Sequence, residues 1–189
     1  MSSDKIPDLS AGDLLISEPF LLDENFTRSV VLLCEHNAEG SFGLILNKPS
    51  ILKLAEIMDR LSFVDKEVYV GGPVEQNTLH YIYQGKKLLE ESIQIGPEMW
   101  WGGNFEELAL GLQSGNIDID DFRFFLGYSG WAPDQLKEEL IESTWIVCQN
   151  ALDENTLSYT PDELWRKVLL NMGGDFKLLA NYPLDPRLN

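Results

Sequence analysis

Phe124-Phe125-Leu126-Gly127-Tyr128-Ser129-Gly130-Trp131-Ala132-Pro133-Asp134-Gln135-Leu136-Lys137-Glu138-Glu139-Leu140 joins an apolar run to a helical pattern through a glycine-bracketed aromatic segment. The run has strand character up to Tyr128. Gly127 and Gly130 permit a tight or left-handed backbone, and Pro133 is placed to open the helix. The reading is strand, turn, helix, with the turn as a place where a ligand or another backbone comes close.

Working outward, strands are predicted at Leu14 to Ser17, Ser29 to Glu35, Phe42 to Asn47, Glu67 to Val70, Leu79 to Tyr83, Ser92 to Ile95, Arg123 to Tyr128 and Thr144 to Cys148. His36-Asn37-Ala38-Glu39-Gly40 lies between two of them and predicts a hairpin. Four helices are predicted. Leu54, Ile57 and Leu61 recur at helical spacing after Pro49-Ser50. Asn104 and Glu107 form a capping pattern, with Phe105, Leu108 and Leu112 as the inner stripe and Gly115 as the stop. A third helix runs from Pro133 with Leu136 and Leu140 facing in. Thr160-Pro161-Asp162-Glu163 combines an N-cap, a proline at the first helical position and a capping-box glutamate ahead of Leu164, Val168 and Met172. Strands arrive in runs, with both hairpins and helix crossovers, so the fold class is α+β. No linker or repeat divides residues 1–189, which read as one unit. The end, Asn181 to Asn189, is apolar and proline-fixed and is expected to dock.

The chain carries 31 acidic against 14 basic residues, a formal charge of −17. DNA affinity comes from lysines and arginines that displace counter-ions along the phosphates, and no basic stripe exists here, so the composition weighs against direct nucleic-acid binding. The start of the chain has no apolar leader and no run is long enough to span a bilayer. A cytoplasmic protein follows, with Cys34 and Cys148 as reduced thiols.

Ser129, in Gly127-Tyr128-Ser129-Gly130-Trp131, has the look of a nucleophile elbow, a serine on a sharp strand-to-helix turn. The elbow wants glycine two residues after the serine, where this chain has Trp131, and the base would have to be His36 or His80. An anion site at the same turn meets Asp134 in the first helical turn, already in the favourable field. An apolar or aromatic ligand stacking on Tyr128 and Trp131 suits the residues better. Cys34 and His36 lack a second metal-ligand pair, and Gly71-Gly72-Pro73-Val74 lacks the third glycine of a dinucleotide loop.

The chain resembles members of the YqgE/AlgH family, bacterial proteins of uncharacterised biochemistry, some labelled transcriptional regulators. The marks are Phe26-Thr27-Arg28-Ser29-Val30-Val31-Leu32-Leu33-Cys34-Glu35-His36-Asn37, then Gly43-Leu44-Ile45-Leu46-Asn47-Lys48-Pro49, then Val70-Gly71-Gly72-Pro73-Val74. They continue with Gly127-Tyr128-Ser129-Gly130-Trp131, Gln135-Leu136, Glu139-Leu140 and Trp165 onward, in order over nearly the whole length. The resemblance implies a bifurcated, largely antiparallel mixed sheet that closes into a pseudo-barrel. It implies no catalytic residue, cofactor or metal, and it places alanine in many relatives where Ser129 stands here.

The resulting expectation is a non-enzymatic ligand- or protein-binding module, regulatory through a small ligand or a protein partner. Its site is built from three strand-end turns: Asn47-Lys48-Pro49, Gly71-Gly72-Pro73 and Tyr128-Ser129-Gly130-Trp131. One alternative is a hydrolase using Ser129 with a histidine; another is a transcriptional regulator acting on DNA.

Overall fold

The computed structural model describes residues 6–152 and 156–183. Among them are ten strands: β1 Leu14–Ser17, β2 Val30–Asn37, β3 Gly40–Ile45, β4 Pro49–Lys53, β5 Glu67–Val70, β6 Val74–Gln84, β7 Ile93–Gly96, β8 Met99–Trp101, β9 Phe122–Trp131 and β10 Trp145–Cys148. Five α-helices accompany them: α1 Leu54–Ile57, α2 Phe105–Ser114, α3 Gln135–Ile141, α4 Pro161–Met172 and α5 Phe176–Leu179. The class is α+β. The sheet runs β10-β1-β2-β3-β9-β6-β8-β7, with β5 joined to β9 and β4 to β5. Every pairing is antiparallel except β5 with β9.

The fork lies at Gly127. On one edge of β9, Phe124 to Leu126 pair with β5, while Ser129 to Trp131 pair with Gly43 to Ser41 of β3. Gly127, at φ +68°, is the bend between the two stretches, a left-handed backbone that suits glycine. Gly71 fills the crotch. Its N–H donates to the Leu126 carbonyl at 2.8 Å, and its carbonyl accepts from the Ile45 N–H at 2.9 Å. The expected aromatic turn is therefore corrected: the strand does not stop at Tyr128 but continues to Trp131, because the glycine re-aims it onto β3. Pro133 likewise precedes the helix, which begins at Gln135 after Asp134 at φ +64°.

The sheet does not close, which corrects the pseudo-barrel expectation. Closure would need β7 to pair with β10. Instead Gly12 lies against the Ile95 carbonyl, Leu152 packs beside Gly96, and Gln149 donates to the Asp8 carbonyl at 2.7 Å. The chain near residues 8–13 thus occupies the gap between the sheet ends.

Both faces of the β10-β1-β2-β3 half are covered, so all four β1 residues are buried. On one face Leu15, Val31, Leu33, Ile45, Trp131 and Trp145 pack under Leu136 of α3. On the other, Leu14, Leu32 and Leu44 pack against Leu164, Trp165 and Leu169 of α4. The β5-β6-β9 half has its own core, in which Tyr83, Phe122 and Phe124 meet Leu54 and Leu108. Each such leucine removed from water contributes about 2 kcal/mol.

Several local expectations are met and others corrected. Asn104 caps α2, its Oδ1 accepting from the N–H groups of Glu106 and Glu107, and left-handed Gly115 ends it. α4 starts at Pro161, but the Thr160 hydroxyl donates to the Glu163 carboxylate at 2.7 Å instead of accepting from the backbone. The first predicted helix is one turn only: Met58 is extended, and Leu61 sits on a separate 3₁₀ turn. Of the terminal segment expected to dock, Tyr182 meets Phe20 edge-on at 5.2 Å; residues 184–189 lie outside the described residues.

Candidate functional site

The three predicted segments adjoin, linked through the main chain. The Lys48 carbonyl accepts from the Val70 N–H at 2.7 Å, Pro49 pairs with Tyr69, and Gly71 joins Leu126. Their side chains do not converge. Asn47 accepts from the Val30 N–H and donates to the Arg28 carbonyl, both at 2.9 Å, tying β2 to the end of β3. The Lys48 ammonium donates to the carbonyls of Glu24 and Asn25, and partial burial draws its pKa down. Gly71 and Gly72 are buried and Pro73 is exposed. A Cβ on Gly72 would stand 2.2 Å from the Tyr128 carbonyl carbon, so backbone meets backbone there.

Ser129 is fully buried, and its hydroxyl donates to the Gly71 carbonyl at 3.1 Å. The imidazoles are engaged elsewhere, His36 with the Ser41 hydroxyl at 2.7 Å and His80 with Thr78 at 3.2 Å. A serine that spends its proton on a main-chain carbonyl at the fork ties strands together. Ser129→Ala is expected to cost about 1 kcal/mol of stability and to leave any binding activity intact, as checked by urea unfolding and ligand titration of the same preparation. A loss of function without loss of stability would restore a chemical role to the hydroxyl.

Tyr128 and Trp131 lie on opposite faces. Trp131 is buried against Trp145, and its indole N–H donates to Glu139 at 2.8 Å. Tyr128 is half-buried, and exposed Gly130 leaves its ring uncovered on one side. Its partners come from three other strands. Phe42 of β3 stacks on it at 4.6 Å, His80 of β6 meets it edge-on at 5.8 Å, and Trp101 of β8 lies 4.7 Å from Phe42. Beside this cluster opens a cavity of about 390 Å³ lined by Met58, Leu79, His80, Tyr81, Trp101, Gly102, Gly103 and Phe105. Burial lowers the His80 pKa from its ordinary 6.5, against the pull of Glu75, so the ring is neutral at pH 7. The Tyr81 hydroxyl donates to the Gly103 carbonyl at 2.6 Å and holds the cavity wall.

Cys34 is sealed in the core, where burial pushes its thiol far above the ordinary range, and Cys148 is half-buried; both are free thiols. Among the described residues no group of three or more His, Cys, Asp or Glu side chains is placed to hold a metal ion. No described helix is long and apolar enough to cross a membrane.

The sequence reading does not place Phe42, which stacks on Tyr128, or the cavity-lining Trp101 in a binding site, and it considers His80 only as a base for Ser129. His80 is an ordinary strand residue by pattern and Trp101 falls in no predicted element, and only the pairing of β6 with β8 and β9 brings them to the Tyr128 cluster.

A family model described as AlgH-like matches residues 14–177. A UPF0301 protein of Cytophaga hutchinsonii is 44% identical over 182 residues, covering 96% of this chain and 100% of the relative. A UPF0301 protein of Chlorobaculum parvum is 38% identical over 181 residues, covering 96% of each. The solution structure of the AlgH protein from Pseudomonas aeruginosa superimposes with a TM-score of 0.70 at 26% identity, covering 94% of this chain and 98% of that one. A crystal structure of a protein from Corynebacterium diphtheriae shares the fold, with a TM-score of 0.78 at 21% identity and coverage of 94% and 95%.

Proposed function

We propose a function from one premise: this chain belongs to the AlgH-like family. It is a non-enzymatic binding module of the cytoplasm that takes a small planar, largely apolar ligand and passes that state on to a protein partner. The observation that carries this reading is the half-buried cluster of Phe42, His80, Trp101 and Tyr128 beside a cavity of about 390 Å³. Small-ligand sites are mostly apolar clefts with a few polar groups that fix orientation, and aromatic walls favour a flat ring by offset stacking. His80, kept neutral by burial, is both hydrogen-bond donor and acceptor.

Of the three predicted segments, this reading retains Tyr128 as part of the aromatic cluster beside the cavity. Asn47, Lys48, Pro49, Gly71, Gly72, Pro73, Ser129, Gly130 and Trp131 support it as the framework that fixes β9 and β3. Any regulatory action runs through the ligand or the partner: a charge of −17 opposes contact with DNA.

Saturation-transfer NMR of the full chain with indole, adenine and nicotinamide as probes tests the site. At least one probe is expected to bind, and Trp101→Ala to weaken it by about tenfold. Absence of binding by all three, or an undiminished signal in the variant, would refute the aromatic cavity.

A further inference from the structure

A second cavity, of about 460 Å³, opens at the start of β9, away from the aromatic cluster, and Arg123 lines it together with Glu67, Tyr69, Gln84 and Asp121. Arg123 stands in a run of phenylalanines, Phe122, Phe124 and Phe125, and is mostly buried. Its guanidinium lies over the Tyr69 ring at 4.6 Å and donates to the carbonyls of Leu46 at 3.1 Å and Leu157 at 2.6 Å. The fork dictates this position. Parallel pairing of Val68 with Phe124 sets Glu67 alongside Arg123, with Tyr69 on the same face.

Arg123 feels the charge of Glu67 but has no carboxylate within 4 Å among the described residues; the ion pairs there are Lys53 with Asp65, Arg60 with Glu106 and Lys66 with Asp120. A cation taken out of water without a counter-ion in contact is costly, and the usual remedy is an anion. Two of its five N–H groups go to main-chain carbonyls, which leaves donors in the fork geometry that suits a carboxylate. The surroundings restrict which anion can enter. The cleft carries the carboxylates of Asp65, Glu67, Asp120 and Asp121 against only Lys66 and Arg123. A phosphate or polyanion is repelled by that rim, whereas a ligand carrying its own positive charge is drawn to it. Asp65 and Asp120 are occupied by lysines, so Glu67 and Asp121 are the carboxylates open to an ammonium group.

We propose that this cleft binds a small zwitterion, a free α-amino acid or a short peptide, with Arg123 taking its carboxylate and Glu67 its ammonium group. The volume lies within the roughly 300–1,000 Å³ of small-ligand sites, and Tyr69 and Gln84 flank the space left for a side chain. The site is independent of the aromatic cavity, so either can fail without the other.

Isothermal titration of the full chain with the free protein amino acids and a matched set of dipeptides tests this. Sodium acetate and inorganic phosphate serve as single-sign controls. At least one zwitterion is expected to bind saturably, and its C-terminal amide and N-acetyl derivatives to bind at least about tenfold more weakly, the loss of one charged hydrogen bond. Arg123→Gln removes the buried guanidinium and endangers the fold, so exposed Glu67 provides the decisive variant. Glu67→Gln is expected to weaken the zwitterion about tenfold while leaving the N-acetyl derivative unchanged. Absence of saturable binding, acetate or phosphate binding as tightly as the zwitterion, or indifference to Glu67→Gln would each overturn the assignment.

Discussion

Gly72→Ala is expected to lose about 4 kcal/mol of stability, a large share of what a domain of this size holds. A Cβ there would lie 2.2 Å from both the carbonyl carbon and oxygen of Tyr128 and 2.4 Å from the Ser129 nitrogen. These are main-chain atoms in the middle of β9, hydrogen-bonded on both sides, so no side chain can swing away to make room. Relief requires prising β9 from the segment after β5, which breaks the contact of Gly71 with Leu126. The measurement is the urea midpoint followed by tryptophan fluorescence, with Gly85→Ala as the control for backbone strain alone, because Gly85 has φ +98° but a Cβ there meets nothing within 4 Å. Equal midpoints for the two variants would show that the fork is looser than these distances imply.

Glu139→Ala is expected to cost about 3 kcal/mol, more than a half-buried glutamate on a helix would ordinarily contribute. One oxygen of this carboxylate accepts from two indoles, Trp131 at 2.8 Å and Trp145 at 2.7 Å, while the other accepts from Gln135 at 3.0 Å. Both tryptophans are nearly sealed, at 6% and 5% exposure. Removing the acceptor leaves two buried N–H donors without a partner, and the penalty for each is about 1–3 kcal/mol. Glu139→Gln retains one acceptor oxygen and is expected to lose about half as much. Thermal unfolding and near-ultraviolet circular dichroism of the tryptophans read the effect. A wild-type melting temperature in the alanine variant would mean that water replaces the carboxylate.

The two cases show where sequence reading succeeds and where it stops. β1, β5 and α2 announce themselves because their signals are local: a short apolar run, or an asparagine cap and a closing glycine. At the midpoint of β9 the local signal is ambiguous, because a glycine at φ +68° serves a bend within a strand as well as a turn that ends one. Pro49 sits in a strand, β4, that has only β5 beside it, the edge position where a missing N–H is tolerated. β8 is three residues long, too short for alternation to register. Of the aromatic site, Tyr128 was legible as a ring beside glycine, whereas Phe42, His80 and Trp101 come from strands that only the sheet order brings near it. Arg123 left a signal that could have been used: a lone cation within Phe122-Arg123-Phe124-Phe125 has to find partners in the interior.

β9 has three strand neighbours, β3, β5 and β6, and it lies about two-thirds of the way along the chain. During synthesis, β1 to β8 leave the ribosome before the strand that completes them. Until Phe122–Trp131 follows, β3 and β5 each lack a partner on the side it will take, and one side of β6 is bare. Unpaired edges are templates for association with other chains, and contacts this distant in sequence form slowly. The arrangement that gives the finished molecule its fork therefore leaves the unfinished chain with several open edges at once, and makes the arrival of one ten-residue strand the step at which the two halves become a single body.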